Sequence, residues 1–228
     1  MKNIRFTLVL VLFLPIAMQA QKVKYVDNAM EKGKAIDNHK TGIWEYYDDS
    51  VLVMKIDYTT GKLKYLRPDT TKYAVKTEEG WKMMQLDVYP HYLGSKNEII
   101  GIFYQNLKCP AQVKKRERNG TVLLGFEINL EGHVDNLKIL KDIGGGAGKA
   151  VLKAFKQIPD FWLVAQKGNK RYVSRYILPV QFKLGIYEDG NIKYKEFSKK
   201  EIKKLNEIKA KYHPSTYLDT IVVTAITR

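Results

Sequence analysis

Hydrophobic and polar residues alternate most cleanly over residues 121–130. Val122, Leu124, Phe126, Ile128 and Leu130 fall on one side of an extended chain, and Leu123, Gly125, Glu127 and Asn129 on the other. This period of two predicts a half-buried strand. Glu131-Gly132 reads as a tight turn, and Val134 to Lys141 as the returning strand of an antiparallel hairpin. After Gly144-Gly145-Gly146 the period changes. Ala147, Ala150, Val151, Ala154, Phe155 and Ile158 form one stripe at helical spacing, closed by Pro159 and an Asp160-Phe161-Trp162 turn. The longest alternating run follows at 171–184, with Tyr172, Ser174, Tyr176, Leu178, Val180, Phe182 and Leu184 on one face and Arg171, Arg175, Gln181 and Lys183 mostly outward. Pro179 lies inside it and has no N–H for a ladder, which predicts an edge strand. An edge strand is a template for adding another.

The flanks carry shorter signals. Ile99, Ile100, Phe103 and Leu107 predict a helix over 97–108 with Asn97 as cap. Upstream, 40–63 reads as two or three strands punctuated by Asp48-Asp49-Ser50 and Thr60-Gly61-Lys62, with Trp44, Tyr46 and Tyr58 as their small core. Downstream of Gly185, Tyr187-Glu188-Asp189-Gly190 predicts a second hairpin. Ser198 and Glu201 then form a capping box ahead of a helix whose narrow seam is Ile202, Leu205, Ile208 and Tyr212. Lysines 199, 200, 203, 204, 209 and 211 make the rest of that helix basic, and Pro214 ends it. The chain closes on a β-branched run, Tyr217 to Ala225, of high strand preference.

Composition narrows the setting. The formal net charge of +15 over 228 residues favours anionic partners. Lys2 and Arg5, the apolar run Phe6 to Met18 and Ala20 before Gln21 have the layout of a cleavable export signal over residues 1–20. Export sets nucleic acid aside and leaves an anionic membrane surface, or nothing specific, as the basic charge's counterpart. The single cysteine, Cys109, cannot form an internal disulfide and reads as a small apolar core residue. His39, His91, His133 and His213 are not spaced as metal ligands. Gly144 to Lys149 fails as a phosphate loop, because Ile143 stands at the first glycine and Ala150 at the magnesium-holding hydroxyl. No nucleophile elbow and no Cys paired with a nearby His occurs. No enzyme activity, cofactor or metal is expected.

The order helix, hairpin, glycine-rich turn, helix, Trp turn and long strand resembles the C-terminal domain of the TonB family. The resemblance rests on Cys109-Pro110-Ala111, Gly120-x-Val122-x-x-Gly125-Phe126-x-Ile128, Glu131-Gly132-x-Val134, Asp142 to Gly146, Ala150, Leu152 and Ala154, Pro159-x-Phe161-Trp162 and Leu178-Pro179-Val180-x-Phe182-x-Leu184. It implies an α+β fold, an antiparallel sheet packed by two helices and preceded by a small β-meander. The expected division is 1–20 signal peptide, 21–88 meander, 89–185 TonB-like domain, and 186–228 hairpin, basic helix and strand tail. The meander's Lys-x-Gly-x-Trp-x-x-Tyr, at Lys40 to Tyr47, resembles one unit of the MORN-like hairpin repeats, and it occurs clearly once.

The resemblance also implies a periplasmic docking module, linked to transport across the outer membrane, that takes partner strands by β-augmentation. The expected receiving residues are Arg171, Tyr172, Val173, Arg175, Tyr176 and Ile177. The tail Asp219, Thr220, Ile221, Val222, Val223, Thr224 and Ala225 resembles the short box by which outer-membrane receptors engage TonB. The implied partner is such a receptor or another protein of the TonB system, with self-association also open and no nucleic acid. The tail itself can be a strand of the domain's own sheet, a regulator of its edge, or a bridge between copies. TonB itself has an uncleaved anchor helix and a Pro-rich spacer. Residues 21–88 here contain Pro68 alone, so no rigid spacer is present in that span.

Overall fold

The computed structural model describes residues 21–227; the predicted signal peptide lies outside them. The first layer is a five-stranded antiparallel meander of β1 (Val23–Asp27), β2 (Glu31–Ile36), β3 (His39–Asp48), β4 (Val51–Asp57) and β5 (Lys62–Leu66). Asp49 and Ser50, both with positive φ, turn β3 into β4. Trp44 and Tyr46 are buried with Ala35, Met54 and Ile56, and Tyr58 packs against them. The Trp44 ring lies flat on Gly33, where a Cβ would stand 2.3 Å from it. Tyr58 ties this core to the next domain by donating its hydroxyl to the Leu93 carbonyl at 2.8 Å.

The remaining elements are β6 (Lys72–Thr77), β7 (Gly80–Gln85), α1 (Lys96–Asn106), α2 (Ala111–Lys115), β8 (Gly120–Ile128), β9 (Val134–Lys141), α3 (Ala147–Phe155), β10 (Ala165–Lys167), β11 (Lys170–Tyr172), β12 (Ser174–Glu188), β13 (Asn191–Tyr194), α4 (Lys199–Lys211), β14 (Thr216–Tyr217) and β15 (Ile221–Thr227). The second sheet runs β7-β6-β12-β8-β9, with β13, β14 and β15 also paired to β12. The boundaries expected at 88 and 185 do not follow sheet membership. The β6–β7 hairpin, grouped with the meander by sequence, joins the second sheet, and so does the tail.

One face of this sheet packs α1, α2 and α3. Phe103, Leu107, Val113, Val151, Ala154 and Phe155 from the helices meet Val122, Leu124, Phe126, Tyr176, Leu178, Val180 and Phe182 from the strands. Ser95, not Asn97, caps α1, its hydroxyl accepting the Glu98 N–H at 3.1 Å. Burial of roughly 2 kcal/mol per large apolar side chain makes this face the main source of stability.

The other face was expected to meet solvent and does not. Leu123 and Ile177 are fully buried. The physical reason is α4, which crosses this face. Its first-turn Glu201 accepts the Thr121 N–H at 2.9 Å and pairs with the buried Lys141, whose Nζ also donates to the Thr121 carbonyl at 2.9 Å. Tyr212, at its far end, sits beside Gly125, Leu140 and Ile177. Ser198 caps α4 as expected, accepting the Glu201 N–H at 3.2 Å.

The predicted edge position of the Pro179 strand is also overturned. On one flank Ser174 to Phe182 pairs antiparallel with Ile128 to Gly120. On the other flank Val180 to Ile186 pairs parallel with Ile221 to Thr227, and Tyr176-Ile177 with Thr216-Tyr217. A proline is tolerated in this central strand because the second flank is broken opposite it. The ladder of β14 ends at Ile177↔Tyr217 and that of β15 begins at Val180↔Ile221. The Ile177 carbonyl accepts the Leu218 N–H at 3.0 Å. Since successive residues of a strand direct their backbone groups to alternate sides, the Pro179 nitrogen faces the same flank, where no ladder residue asks for a donor.

Candidate functional site

The six residues expected to receive a partner strand are divided between two sheets, β11 of a two-stranded hairpin and β12 of the main sheet, with Val173 between them. Arg171 and Tyr172 lie in β11, paired with Gln166 and Ala165 in a separate two-stranded hairpin. The Val173 carbonyl accepts the Lys76 N–H at 2.9 Å. Arg175 is occupied by its neighbours, its guanidinium 3.7 Å from the Trp81 ring centroid and 3.4 Å from Glu127. Tyr176 is buried, donates its hydroxyl to the Pro90 carbonyl at 3.0 Å, and stands between Phe126 and Thr216. Ile177 is fully buried between Gly125 and Tyr217. Tyr176 and Ile177, paired on both sides, have no backbone groups to offer a newcomer, whereas Arg171 and Tyr172 are paired on one side only.

The tail supplies the second flank in cis. Asp219 pairs with Lys96 of α1 at 2.6 Å, which raises the lysine's pKa chiefly through that hydrogen bond. Thr220 precedes the ladder. Ile221 is buried, and Val223 and Ala225 pack against the main core, opposite Phe182 and Leu184. Val222 and Thr224 are their alternates along the strand. The register and the Leu218 bond to Ile177 fix which groups point inward. Ile221, Val223 and Ala225 turn their N–H and C=O toward β12, whereas Val222, Thr224 and Ile226 turn theirs away.

That outward edge pairs with no further strand among the described residues. It lines a groove of about 420 Å³ with Phe103, Leu107, Cys109 and the lysines 108 and 114. Cys109 is half-buried there, and burial pushes its thiol up. Sequence reasoning placed Ile221–Ala225 as a strand but did not locate this edge. The alternation along 171–184 pointed to an edge where the structure has a central strand, because Pro179 was the only backbone signal within it.

Residues 105–184 match the family model described as Gram-negative bacterial TonB protein C-terminal. Over this stretch, about a third of the chain, the protein is similar to the TonB C-terminal domain. The match spans α1's last turn to the buried half of β12, so the motifs that carried the resemblance coincide with the observed hairpin, α3 and the Trp162 turn. No curated protein and no solved structure matches the chain. The TonB family is a periplasmic, protein-interacting one, linked to envelope transport. Among the described residues no group of three His, Cys, Asp or Glu is placed to hold a metal. The glycine-rich turn before α3 is spoken for: Asp142 Oδ1 accepts the N–H groups of Gly144 at 2.8 Å and Gly148 at 3.1 Å, where an anion would otherwise sit. No described helix is long and apolar enough to cross a membrane.

Proposed function

We propose that this protein is a periplasmic docking module of a TonB-type system in which the chain's own tail completes the sheet and a partner strand adds to the outer edge of β15. The observation that carries the reading is the continuous parallel ladder from Val180↔Ile221 to Ile186↔Thr227. It occupies the flank of β12 that a foreign box would need and displaces the open edge outward by one strand. Main-chain bonds to Val222, Thr224 and Ile226 would supply affinity, and the groove beside Leu107 would take alternate side chains. The family resemblance makes an outer-membrane receptor, or another protein of the TonB system, the natural donor.

The test is titration with a peptide of sequence Tyr217–Thr227, followed by amide shifts. The expected result is binding centred on Val222, Thr224 and Ile226. Thr224→Pro, which removes only an outward N–H, weakens it by about tenfold, the loss of one to two backbone hydrogen bonds. Binding unaffected by that substitution overturns the outer-edge reading.

A second reading is favoured by the resemblance of the tail to a receptor box. Here the tail is a resident competitor that regulates access to β12. It predicts that a chain lacking residues 214–228 binds the same peptide more tightly than the intact chain does, with shifts on Gln181 and Lys183. Weaker or absent binding in the shortened chain excludes it.

A further inference from the structure

We infer that the sheet face carrying α4 and the β12–β13 hairpin is a docking surface for an anionic phospholipid bilayer. The inference does not rest on strand addition, which concerns the backbone edge of β15 and not the side chains of α4 and the hairpin. Six lysines, 199, 200, 203, 204, 209 and 211, lie exposed along the thirteen residues of α4. Among the described residues none of them is in an ion pair; Lys209 and Lys211 only approach the rings of Tyr217 and Tyr212, at 5.3 and 5.9 Å. The acid in the first turn does not neutralise them, because Glu201 is turned inward to Lys141 and the Thr121 N–H. Neighbouring acids are partly spent as well: Glu188 pairs with Lys193 at 3.0 Å and Glu117 with Lys195 at 2.5 Å. Asp189, Glu196 and Glu207 remain exposed against the six lysines.

Charge alone would suit any polyanion; the apolar groups beside it select a bilayer. Tyr187 is 69% exposed, Tyr194 46%, Ile192 42% and Ile202 46%. The first three share one side of the β12–β13 hairpin by register, Tyr187 opposite Ile192 and Gly185 opposite Tyr194. That side is the α4 side: Gly185 alternates with Gln181, which pairs with Thr121, the residue Glu201 grips. At Gly185 a Cβ would stand 2.6 Å from Ile192 and 3.2 Å from Tyr194, so both side chains lie across this face and not on the core side. Only four residues separate Tyr194 from Lys199. Tyrosine rings and an isoleucine at headgroup depth, with lysine stems reaching to the lipid phosphates, make the two-signal pattern of a surface-bound protein. The Gram-negative periplasmic setting of the TonB family provides such surfaces.

The experiment uses the chain from Gln21 to Arg228, which contains every described element, in cosedimentation with phosphatidylglycerol-containing vesicles and with pure phosphatidylcholine vesicles. Binding to the anionic vesicles at least about tenfold tighter, weakening as salt rises, is expected. Reversing Lys199, Lys200, Lys203 and Lys204 to Glu abolishes it. Tyr187→Ser with Ile192→Ser and Tyr194→Ser weakens it severalfold at unchanged charge. These positions are exposed, and an unchanged thermal melt confirms that each variant is folded. Equal binding to neutral vesicles, no binding to either, or no effect of the lysine reversals overturns the inference. So does tighter binding to a soluble polyanion such as heparin with no effect of the hairpin substitutions, which would make the face a polymer site.

Discussion

At the scale of single residues, the two most specific motifs turn out to be one contact. Gly132, from Glu131-Gly132, has φ +86, and a Cβ there would stand 2.5 Å from the Trp162 carbonyl oxygen. The Trp162 N–H in turn donates to the Gly132 carbonyl at 3.1 Å. Each motif was legible as a turn, but not the fact that the hairpin turn and the Trp turn interlock, since their residues are thirty apart and the meeting atoms are backbone. Gly132→Ala therefore meets both a strained φ and an immovable neighbour, at a cost on the order of 3 kcal/mol. Gly61→Ala, with φ +66 and nothing within 4 Å, bears only the conformational cost of about 1 kcal/mol. Urea denaturation of the two variants measures the difference, and equal losses would show that the contact contributes nothing.

His91 is a second residue whose setting the sequence hid. Burial holds its pKa below the usual imidazole range, against the opposing pull of the Tyr92 carbonyl 2.6 Å from Nδ1. The folded form thus resists a proton that the unfolded chain takes up at about pH 6.5. Its neutral state is compatible with full stability above that value. Stability then falls as pH drops below it, because the unfolded state binds more protons. Midpoints for urea unfolding at pH 7.5 and 5.5 should differ for the native chain and differ less for His91→Asn.

At the scale of elements, periodicity placed α1, β8, β9 and α3 close to their observed bounds, but missed α2 and the β10–β11 hairpin, merged β11 into β12, and misjudged how β8 and β12 are covered. The β8 pattern, apolar on one side and mixed on the other, fits a half-buried strand until α4 is laid over Leu123. A helix with no fully buried residue does this, through one polar anchor. Glu201 was read as the far half of a capping box. The Ser198 half forms, but the carboxylate goes instead to Thr121 and Lys141. The Lys141 side chain is 0% exposed, so its partner cannot be replaced by water. Glu201→Ala should destabilise by roughly 3–5 kcal/mol, the cost of leaving a buried charge unpaired. Adding Lys141→Met should restore most of that loss. Chemical denaturation of the single and double variants tests the anchor, and additive losses would mean that the two groups act independently.

At the scale of the whole molecule, the central question is whether residues 214–228 are an appendage or part of the domain. The proline argument failed on this point for a definable reason. Proline reports only that one N–H is missing; it cannot distinguish an edge from a break in a neighbouring strand, and here the interval between β14 and β15 supplies the break. The tail's β-branched run was legible as a strand, but not its direction, because parallel pairing depends on α4 carrying the chain back across the sheet. Deleting 214–228 removes the buried Ile221 and the core contacts of Val223 and Ala225, together worth about 4 kcal/mol. At about 2–4 °C per kcal/mol for a protein of this size, the melting midpoint should fall by roughly 10 °C. The deletion also uncovers the Gln181 and Lys183 backbone on a long, apolar central strand, which is a template for self-pairing. Sedimentation should therefore report concentration-dependent dimers, and amide exchange at Gln181 and Lys183 should accelerate in the monomer. A shortened chain that stays monomeric with an unshifted melt and unchanged exchange would mean the tail only rests on the domain, and the outer edge of β15 would lose its standing as the place where a partner adds.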